Sequence, residues 1–213
     1  MIPKLHYISQ GATPEVHLEN IQKACTAGAE LVQLRVKDIS EKKFLEYARK
    51  AREITAHFQT RLIINDNYKI AKEVKADGVH LGKTDASPTV VRKHLYTWQY
   101  IGATAHTLKD CETLIEKEAD YISLGPFKPT ETKTDAPPPL GLHGYTAILE
   151  ALQTETPILG VGGITLAAVP AILETGISGI AVSEEITLDF NRIRAFHTLL
   201  RASSTEEQRY TFK

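Results

Sequence analysis

Short apolar runs alternate with longer amphipathic segments along the whole chain. The runs are bounded by Gly, Pro, Asn and Asp, as buried strands are, and the segments between them repeat apolar residues at three- and four-residue intervals, as helices do. The predicted strands cover residues 5–9, 30–35, 61–65, 78–81, 100–104, 121–124, 157–161 and 179–182. The predicted helices cover residues 14–27, 40–58 with Ser40 as the cap, 68–74, 88–95, 108–117, 144–152, 166–174 and 188–200.

Regular strand–helix alternation of this kind predicts an α/β fold, a single closed parallel (β/α)8 TIM barrel. An open doubly wound sheet is the alternative, but it usually has fewer units and a Gly-rich fingerprint after its first strand. Here the first strand runs into Ser9-Gln10-Gly11, which lacks that fingerprint. We therefore predict one catalytic barrel domain over residues 1–201 and a polar C-terminal tail over residues 202–213.

Composition and charge narrow the class of protein. The 213 residues are 42% hydrophobic and 24% charged, with a formal net charge of -1 and no basic block, which argues against a nucleic-acid partner. No apolar run approaches the roughly 18 residues of a membrane span, and no signal-peptide pattern follows Met1. The two cysteines, Cys25 and Cys111, both lie in predicted helices and are expected to be buried free thiols. We expect a cytoplasmic protein; its oligomeric state, a homo-oligomer included, stays open.

One connection, residues 123–142 after the sixth strand, is far longer than the others. Loops of this length in a compact chain are usually active-site lids, binding loops or disordered segments. It contains Thr130-Glu131-Thr132-Lys133, whose two hydroxyls and one ammonium suit phosphate oxygens. A solvated surface loop is the alternative at this point.

Polar residues and glycines collect where the predicted strands end, and in a barrel those ends form one rim that carries the chemistry. Asp66 and Asp85 would be carboxylates on neighbouring loops, and two carboxylates with waters and phosphate oxygens are the usual ligands of Mg²⁺ at a phosphorylated substrate. Asp66 could instead cap the helix that follows it. The other rim positions are Gln33, Arg35, Lys37, Asn65, His80, Lys83, Thr104, His106, Gly162, Gly163 and Ser183.

The residue types at this rim predict two phosphate sites. Arg35, Lys37, Lys83 and Lys133 offer cationic donors, and the Gly162-Gly163 turn exposes backbone N–H groups. One site, with Mg²⁺, would lie near strands two to four, and one without metal near strands six to eight. A zinc site is excluded because the chain has no Cys pair or His cluster with the required spacing.

The two rim histidines differ in what they predict. His80 stands between Val79 and Leu81 on a strand, which favours a packed histidine over a catalytic one. His106 lies just past a strand end, where a substrate contact and a helix-cap role are both open.

An ordered set of motifs resembles the thiamine phosphate synthase family. Each motif is weak alone, but together they span almost the whole chain in the family's order. They are residues 33–37 (QLRVK), 64–66 (IND), 77–82 (DGVHLG) with Asp85, 102–106 (GATAH), 125–126 (GP) with 130–133 (TETK), 162–164 (GGI) and 179–183 (GIAVS). The resemblance implies a transferase of thiamine biosynthesis that joins a hydroxymethylpyrimidine diphosphate to a thiazole phosphate and releases pyrophosphate.

The resemblance also implies the roles of individual residues. Asp66 and Asp85 would hold Mg²⁺, and Arg35, Lys37 and Lys133 would stabilise the departing pyrophosphate in a dissociative reaction. The pyrimidine diphosphate would be bound by Gln33, Leu34, Arg35, Val36, Lys37, Asn65, Thr104 and Lys133. The thiazole phosphate would be bound by Thr130, Glu131, Thr132, Gly162, Gly163, Ser183 and Glu184. These two small molecules would be the partners of the protein.

Departures from the family pattern fall at a few positions. Glu184, followed by Glu185, stands where a small hydroxyl residue is usual, and two carboxylates near an anionic phosphate would repel it unless they point away at a helix start. Lys83 replaces a frequent Gln, and Thr104 replaces a frequent Ser but keeps the hydroxyl.

Two alternative functions are carried forward. One is a thiazole tautomerase of the same fold, and the other is a non-catalytic barrel that binds a phosphorylated metabolite. A tautomerase has no use for residues that grip a diphosphate, so their presence favours the synthase. Which form of the thiazole phosphate is used stays open.

Overall fold

The computed structural model describes residues 2–129 and 137–210. Within these residues, parallel strands close into one barrel of eight in chain order, and β1 pairs with both β2 and β8. The predicted (β/α)8 barrel is therefore confirmed. The strands are β1 Leu5–Ile8, β2 Leu31–Leu34, β3 Arg61–Asn65, β4 Gly78–Leu81, β5 Tyr100–Ala105, β6 Tyr121–Leu124, β7 Ile158–Val161 and β8 Gly179–Val182.

Helices follow the strands, and several begin at the residues that the sequence predicts. Ser40 accepts a hydrogen bond from the Lys43 N–H, and Pro88 occupies the first turn of its helix. The helices are α1 Pro14–Thr26, α2 Glu41–His57, α3 Tyr68–Glu73, α4 Pro88–Arg92, α5 Leu108–Glu116, α6 Gly141–Ala151, α7 Val169–Glu174 (after a 3₁₀ turn at Leu166–Ala168), α8 Glu184–Leu188 and α9 Arg192–Tyr210.

The C-terminal helix differs from its prediction. The predicted helix over residues 188–200 is confirmed from Arg192 onward, but its start is wrong, because α8 ends at Leu188 and α9 begins only at Arg192. Between them, the Asp189 Oδ1 accepts hydrogen bonds from the backbone N–H and the Nδ2 of Asn191, a local turn that competes with helical pairing. The α9 backbone then stays helical to Tyr210, past the predicted end at Leu200. The division of the chain at residue 201 stays a prediction.

Alternation along the strands separates two cores and explains why the rim is polar. Outward side chains such as Val32, Leu34 and Ile64 pack under the helices in the larger cluster. Inward side chains near the strand starts, including Leu31, Ile63, Tyr121 and Leu159, form a smaller cluster inside the barrel. Two residues further along these strands, the inward positions become polar, with Gln33 on β2, Asn65 on β3 and Ser123 on β6. Apolar side chains thus fill the barrel near the strand starts, and polar side chains line it near the strand ends.

The two cysteines, Cys25 and Cys111, are free and buried, as predicted. Of the helices that the structure describes, none is both long enough and apolar enough to cross a membrane.

Candidate active site

A cavity of about 1110 Å³ opens at the C-terminal ends of the strands. This volume slightly exceeds the roughly 300–1,000 Å³ of ordinary small-molecule sites, which leaves room for two small molecules side by side. The predicted site residues that line it are Gln33, Arg35, Val36, Lys37, Asn65, Asp66, Asp85, Thr104, Gly162, Gly163, Ser183 and Glu184. The fold therefore brings together residues from both ends of the chain.

Among the described residues, one predicted site residue does not line this cavity. Leu34 is fully buried in the cluster beneath the helices, because on a strand it faces the opposite way from Gln33. Its side chain is not exposed to the cavity. Thr130, Glu131, Thr132 and Lys133 lie outside the described residues, so their roles stay predictions.

Asp66 and Asp85 form the acidic part of the cavity. Asp85 Oδ2 accepts a hydrogen bond from the Gly82 N–H at 2.6 Å. A Cβ on Gly82 would lie 3.0 Å from Asp85 Oδ2 and 3.8 Å from Asp66 Oδ1, so the two carboxylates approach each other beside this glycine. Asn67, and not Asp66, caps α3 by accepting the Ile70 N–H at 3.0 Å. The alternative that Asp66 is a helix cap is therefore wrong.

The backbone and the charge state of Asp66 both mark it as unusual. Its φ of 63° lies in the left-handed region, which costs most residues about 1 kcal/mol or more but which Asp and Asn tolerate best. Partial burial in the cavity wall and the neighbouring Asp85 carboxylate raise the pKa of Asp66 to about 6, against the opposing effect of Arg35 and Lys37. The side chain retains solvent-exposed surface because it faces an open cavity.

This pair of carboxylates fits a divalent cation. The neighbouring Asp85 carboxylate raises the proton affinity of Asp66, and a bound positive charge would relieve this repulsion. Among the described residues, no group of three or more His, Cys, Asp and Glu side chains is arranged to hold a metal. Mg²⁺ suits a two-carboxylate site of this kind, because it usually completes its coordination with waters and substrate phosphates.

The backbone of Arg35 is fixed by contacts that the sequence did not reveal. Its backbone N–H donates to Ser9 Oγ at 3.0 Å, and Ser9 Oγ lies 2.8 Å from His17 Nδ1. Burial lowers the pKa of Arg35 and the Asp66 carboxylate opposes this, but a guanidinium stays protonated at neutral pH. Lys37, two residues further on, is exposed at the cavity. Ser9 and His17 thus fix the backbone that carries Arg35 and Lys37 after β2. The only sign of this contact in the sequence was a serine at the end of a strand.

His80 is the packed histidine that the sequence predicts. Its Nδ1 lies 3.1 Å from Tyr121 Oη, and its Nε2 lies 3.0 Å from Thr104 Oγ1. Both ring nitrogens therefore have partners inside the barrel, and the ring is only 8% exposed.

His106 does not act as a helix cap. Thr107 is the N-cap of α5, in a reciprocal capping box with Asp110. The His106 ring lines the cavity, where its Nδ1 lies 2.6 Å from the Gly125 carbonyl oxygen.

The Gly162-Gly163 turn is shaped by close backbone approach. Both residues have positive φ, 92° and 64°. A Cβ would lie 2.7 Å from Pro126 Cβ at the first position and 2.8 Å from Lys128 Cβ at the second. Phe127 N–H donates to the Val161 carbonyl and Lys128 N–H to the Gly162 carbonyl. Glycine is therefore required at both positions to seat the start of the long loop against the cavity wall.

The turn after β8 supplies a hydroxyl and a carboxylate to the same end of the cavity. Ser183 Oγ donates to Gln10 Oε1 at 3.3 Å. Gln10 was not predicted from the sequence as a site residue. Glu185 forms an ion pair with Arg192 and accepts the Leu166 N–H at 3.3 Å. Glu184 is exposed at the cavity, and no described side chain forms an ion pair with it.

Comparisons with known proteins match most of the chain. The family model for thiamine monophosphate synthase matches residues 5–186. The chain is 40% identical to the thiamine-phosphate synthase of Flavobacterium johnsoniae over 190 residues, which is 88% of this chain and 90% of that protein. It is 41% identical to the thiamine-phosphate synthase of Flavobacterium psychrophilum over 194 residues, 90% of this chain and 94% of that protein.

Among solved structures, the thiamine phosphate pyrophosphorylase from Pyrococcus furiosus is similar over nearly the whole chain. The TM-score is 0.77 at 26% identity, covering 95% of this chain and 96% of that chain.

Proposed function

This chain belongs to the thiamine monophosphate synthase family, and we propose that its cavity joins a hydroxymethylpyrimidine diphosphate to a thiazole phosphate. The products are thiamine phosphate and pyrophosphate, so the protein is a transferase of thiamine biosynthesis. The observation that carries this proposal is the pairing of Asp66 with Asp85 beside Arg35 and Lys37 in one cavity. That combination suits a metal-bound diphosphate.

The bond changes require charge stabilisation more than a nucleophilic side chain. The C–O bond between the pyrimidine methylene and the diphosphate breaks, and both electrons leave with the oxygen. The aminopyrimidine ring stabilises the resulting cation, and the thiazole nitrogen lone pair then forms the new C–N bond. Both cysteines are buried in helices and absent from the cavity lining, which fits a reaction without a thiol nucleophile.

Cationic and hydroxyl groups near β2 to β5 assist the departure of pyrophosphate. Arg35 and Lys37 donate to its oxygens, and the Thr104 hydroxyl approaches from the opposite wall. Asp66 and Asp85 would hold Mg²⁺, which would further neutralise the leaving charge when bound. Gln33 and Asn65 offer amide groups that orient the pyrimidine.

The thiazole phosphate is received at the other end of the cavity. The Gly162-Gly163 turn offers backbone N–H groups, and the Ser183 hydroxyl would turn from Gln10 to the phosphate. On the strength of the sequence alone, Thr130 and Thr132 would add to this end, and Lys133 would reach the diphosphate instead. We further propose that the protein works in the cytoplasm, which is supported by two buried free thiols.

The test is a coupled assay with the purified chain and both substrates. Thiamine phosphate and pyrophosphate should appear in equal amounts with Mg²⁺ and vanish in excess chelator. Asp66→Asn and Asp85→Asn should each need more Mg²⁺ for half-maximal rate, whereas Glu174→Gln, at an exposed position on α7, should behave as wild type. Full product formation in chelator would refute the metal role, and consumption of a thiazole tautomer without coupling would favour the tautomerase.

A further inference from the structure

We propose that Tyr121 and His80 are positioning residues that set the direction in which the Thr104 hydroxyl donates its proton. The inference rests on the proposed function, in which Thr104 faces the diphosphate. It concerns three side chains in a row inside the barrel: Tyr121 on β6, His80 on β4 and Thr104 on β5. Tyr121 and His80 are buried, and Thr104 is the most exposed of the three.

The hydroxyl of Tyr121 determines the first step. A phenol carries one proton, and a buried hydroxyl requires an acceptor for it. Among the described contacts, the acceptor that Tyr121 Oη finds is His80 Nδ1 at 3.1 Å. Burial, with a smaller effect from Asp120, raises the pKa of Tyr121 far above its usual value, so the phenol keeps its proton. Tyr121 therefore donates, and His80 Nδ1 accepts.

The tautomer of His80 follows from this donation. If Nδ1 accepts, the ring proton must lie on Nε2. A cationic ring would carry protons on both nitrogens and would leave the Tyr121 proton without an acceptor. The Nε2–H then donates to Thr104 Oγ1, which lies 3.0 Å away.

The Thr104 hydroxyl then donates its proton toward the cavity. Because its oxygen already accepts from His80, its own proton is free to point at an anion in the cavity that it lines. In the opposite tautomer, Thr104 would donate to Nε2 and present lone pairs to the diphosphate, which would be repulsive. The relay thus converts a hydroxyl that could face either way into a fixed donor for the leaving group.

The surrounding chain clamps the Tyr121 ring in this position. A Cβ on Gly102 would lie 2.0 Å from Tyr121 Cζ and 2.4 Å from its Oη, so β5 needs glycine where the ring crosses it. The Tyr121 ring stacks on His80 at a centroid distance of 5.5 Å and meets the edge of His6 at 5.0 Å. The phenol is therefore held where its proton reaches Nδ1.

A spectroscopic measurement tests the tautomer independently of activity. The ¹⁵N NMR signals of His80 in the substrate-free whole protein should show a protonated Nε2 and an unprotonated Nδ1. Tyr121→Phe keeps the ring and its packing but removes the proton, so the His80 signals should shift toward a mixture of tautomers. A protonated Nδ1 in the wild type would overturn the proposal.

A double-mutant cycle tests the functional consequence. Tyr121→Phe should lower kcat about tenfold or more, with the KM for the thiazole phosphate unchanged, because only a contact to the leaving group weakens. In a Thr104→Ala background, Tyr121→Phe should have almost no further effect on kcat. Equal losses of kcat in both backgrounds would assign Tyr121 a merely structural role. A wild-type protein that makes no thiamine phosphate would refute the proposed function, while the NMR result would still decide the tautomer.

Discussion

The Lys83 ammonium lies 3.0 Å from the Asp110 carboxylate, which ties the rim loop after β4 to the first turn of α5. Asp110 also accepts from the backbone N–H groups of His106 and Thr107. Burial opposes its ionisation, but these hydrogen bonds outweigh it and lower the pKa of Asp110. The charge of Lys83, expected from the sequence to serve a phosphate, is thus already balanced by a carboxylate.

Lys83→Gln should therefore change diphosphate binding little. We expect the KM for the pyrimidine diphosphate to stay within about twofold, and stability to fall by no more than about 1 kcal/mol, as for other solvent-accessible ion pairs. Arg35→Gln, which removes a half-buried cation beside Asp66, should raise that KM by about tenfold or more. Steady-state kinetics on both variants measure this difference. An equal rise in the KM for Lys83→Gln would contradict the conclusion that Asp110 already balances the charge of Lys83.

Asp66→Asn should stabilise the metal-free protein at neutral and higher pH. The folded pKa of Asp66, about 6, lies above its ordinary value of 3.8, so ionisation costs more in the folded state than in the unfolded one. The contribution of the Asp66 side chain to the free energy of unfolding is complete below pH 3.8 and is lost as the pH rises through 6. The gain from the variant at pH 8 should be on the order of 1 kcal/mol after solvent screening and should disappear toward pH 4. Urea unfolding across this pH range measures it.

The control for this prediction separates charge from backbone strain. Asn suits the left-handed φ of residue 66 as well as Asp does, whereas Ala does not. Asp66→Ala should therefore gain less stability than Asp66→Asn. Added Mg²⁺ should stabilise the wild type at pH 8 and have less effect on either variant; a pH-independent gain would show that charge is not the cause.

Lys133→Ala should lower kcat strongly while the fold is retained, because it removes stabilisation of the leaving pyrophosphate. Lys133 lies outside the described residues, so this prediction rests on the sequence. Lys128 provides a matched control in the same loop, since its ammonium lies 5.7 Å from the centre of the Phe127 ring. Lys128→Ala should keep most of the activity. Unchanged turnover in Lys133→Ala would remove this residue from the mechanism.

Glu184→Ser should improve binding of the thiazole phosphate. Glu184 is an exposed carboxylate on the cavity wall, and removal of one like charge from a screened site should lower the KM for this substrate by about two- to fivefold. The kcat should change little. Glu185→Gln is the contrasting variant, because Glu185 holds Arg192 and the Leu166 N–H, and it should lower thermal stability instead. A higher KM in Glu184→Ser would show that this carboxylate assists binding.

Strand ends were predictable because local pattern fixes them and parallel strands bring their ends to one rim. The pairing of Asp66 with Asp85 in one cavity follows from that geometry alone. Leu34 was predicted as part of a continuous motif, although the two-residue period of a strand faces its side chain away from Gln33, so its role stays a prediction. Ser9, His17 and the Lys83–Asp110 pair could not be predicted, because they depend on which loops become neighbours and on rotamers at their tips. The break between α8 and α9 depends on the side-chain hydrogen bonds of Asp189, which compete with helix formation.

The pairing of β1 with β8 has a consequence for synthesis of the protein. It joins Leu5, His6 and Tyr7 to residues 180–182, near the far end of the chain. Until β8 has left the ribosome, the growing sheet has two unpaired edges, which can attract other strands. Ser183 and Glu184 follow β8 directly, so the wall of the cavity is also completed last. A prematurely ended chain would thus be both inactive and prone to aggregate, which makes it readily distinguishable to cellular quality control.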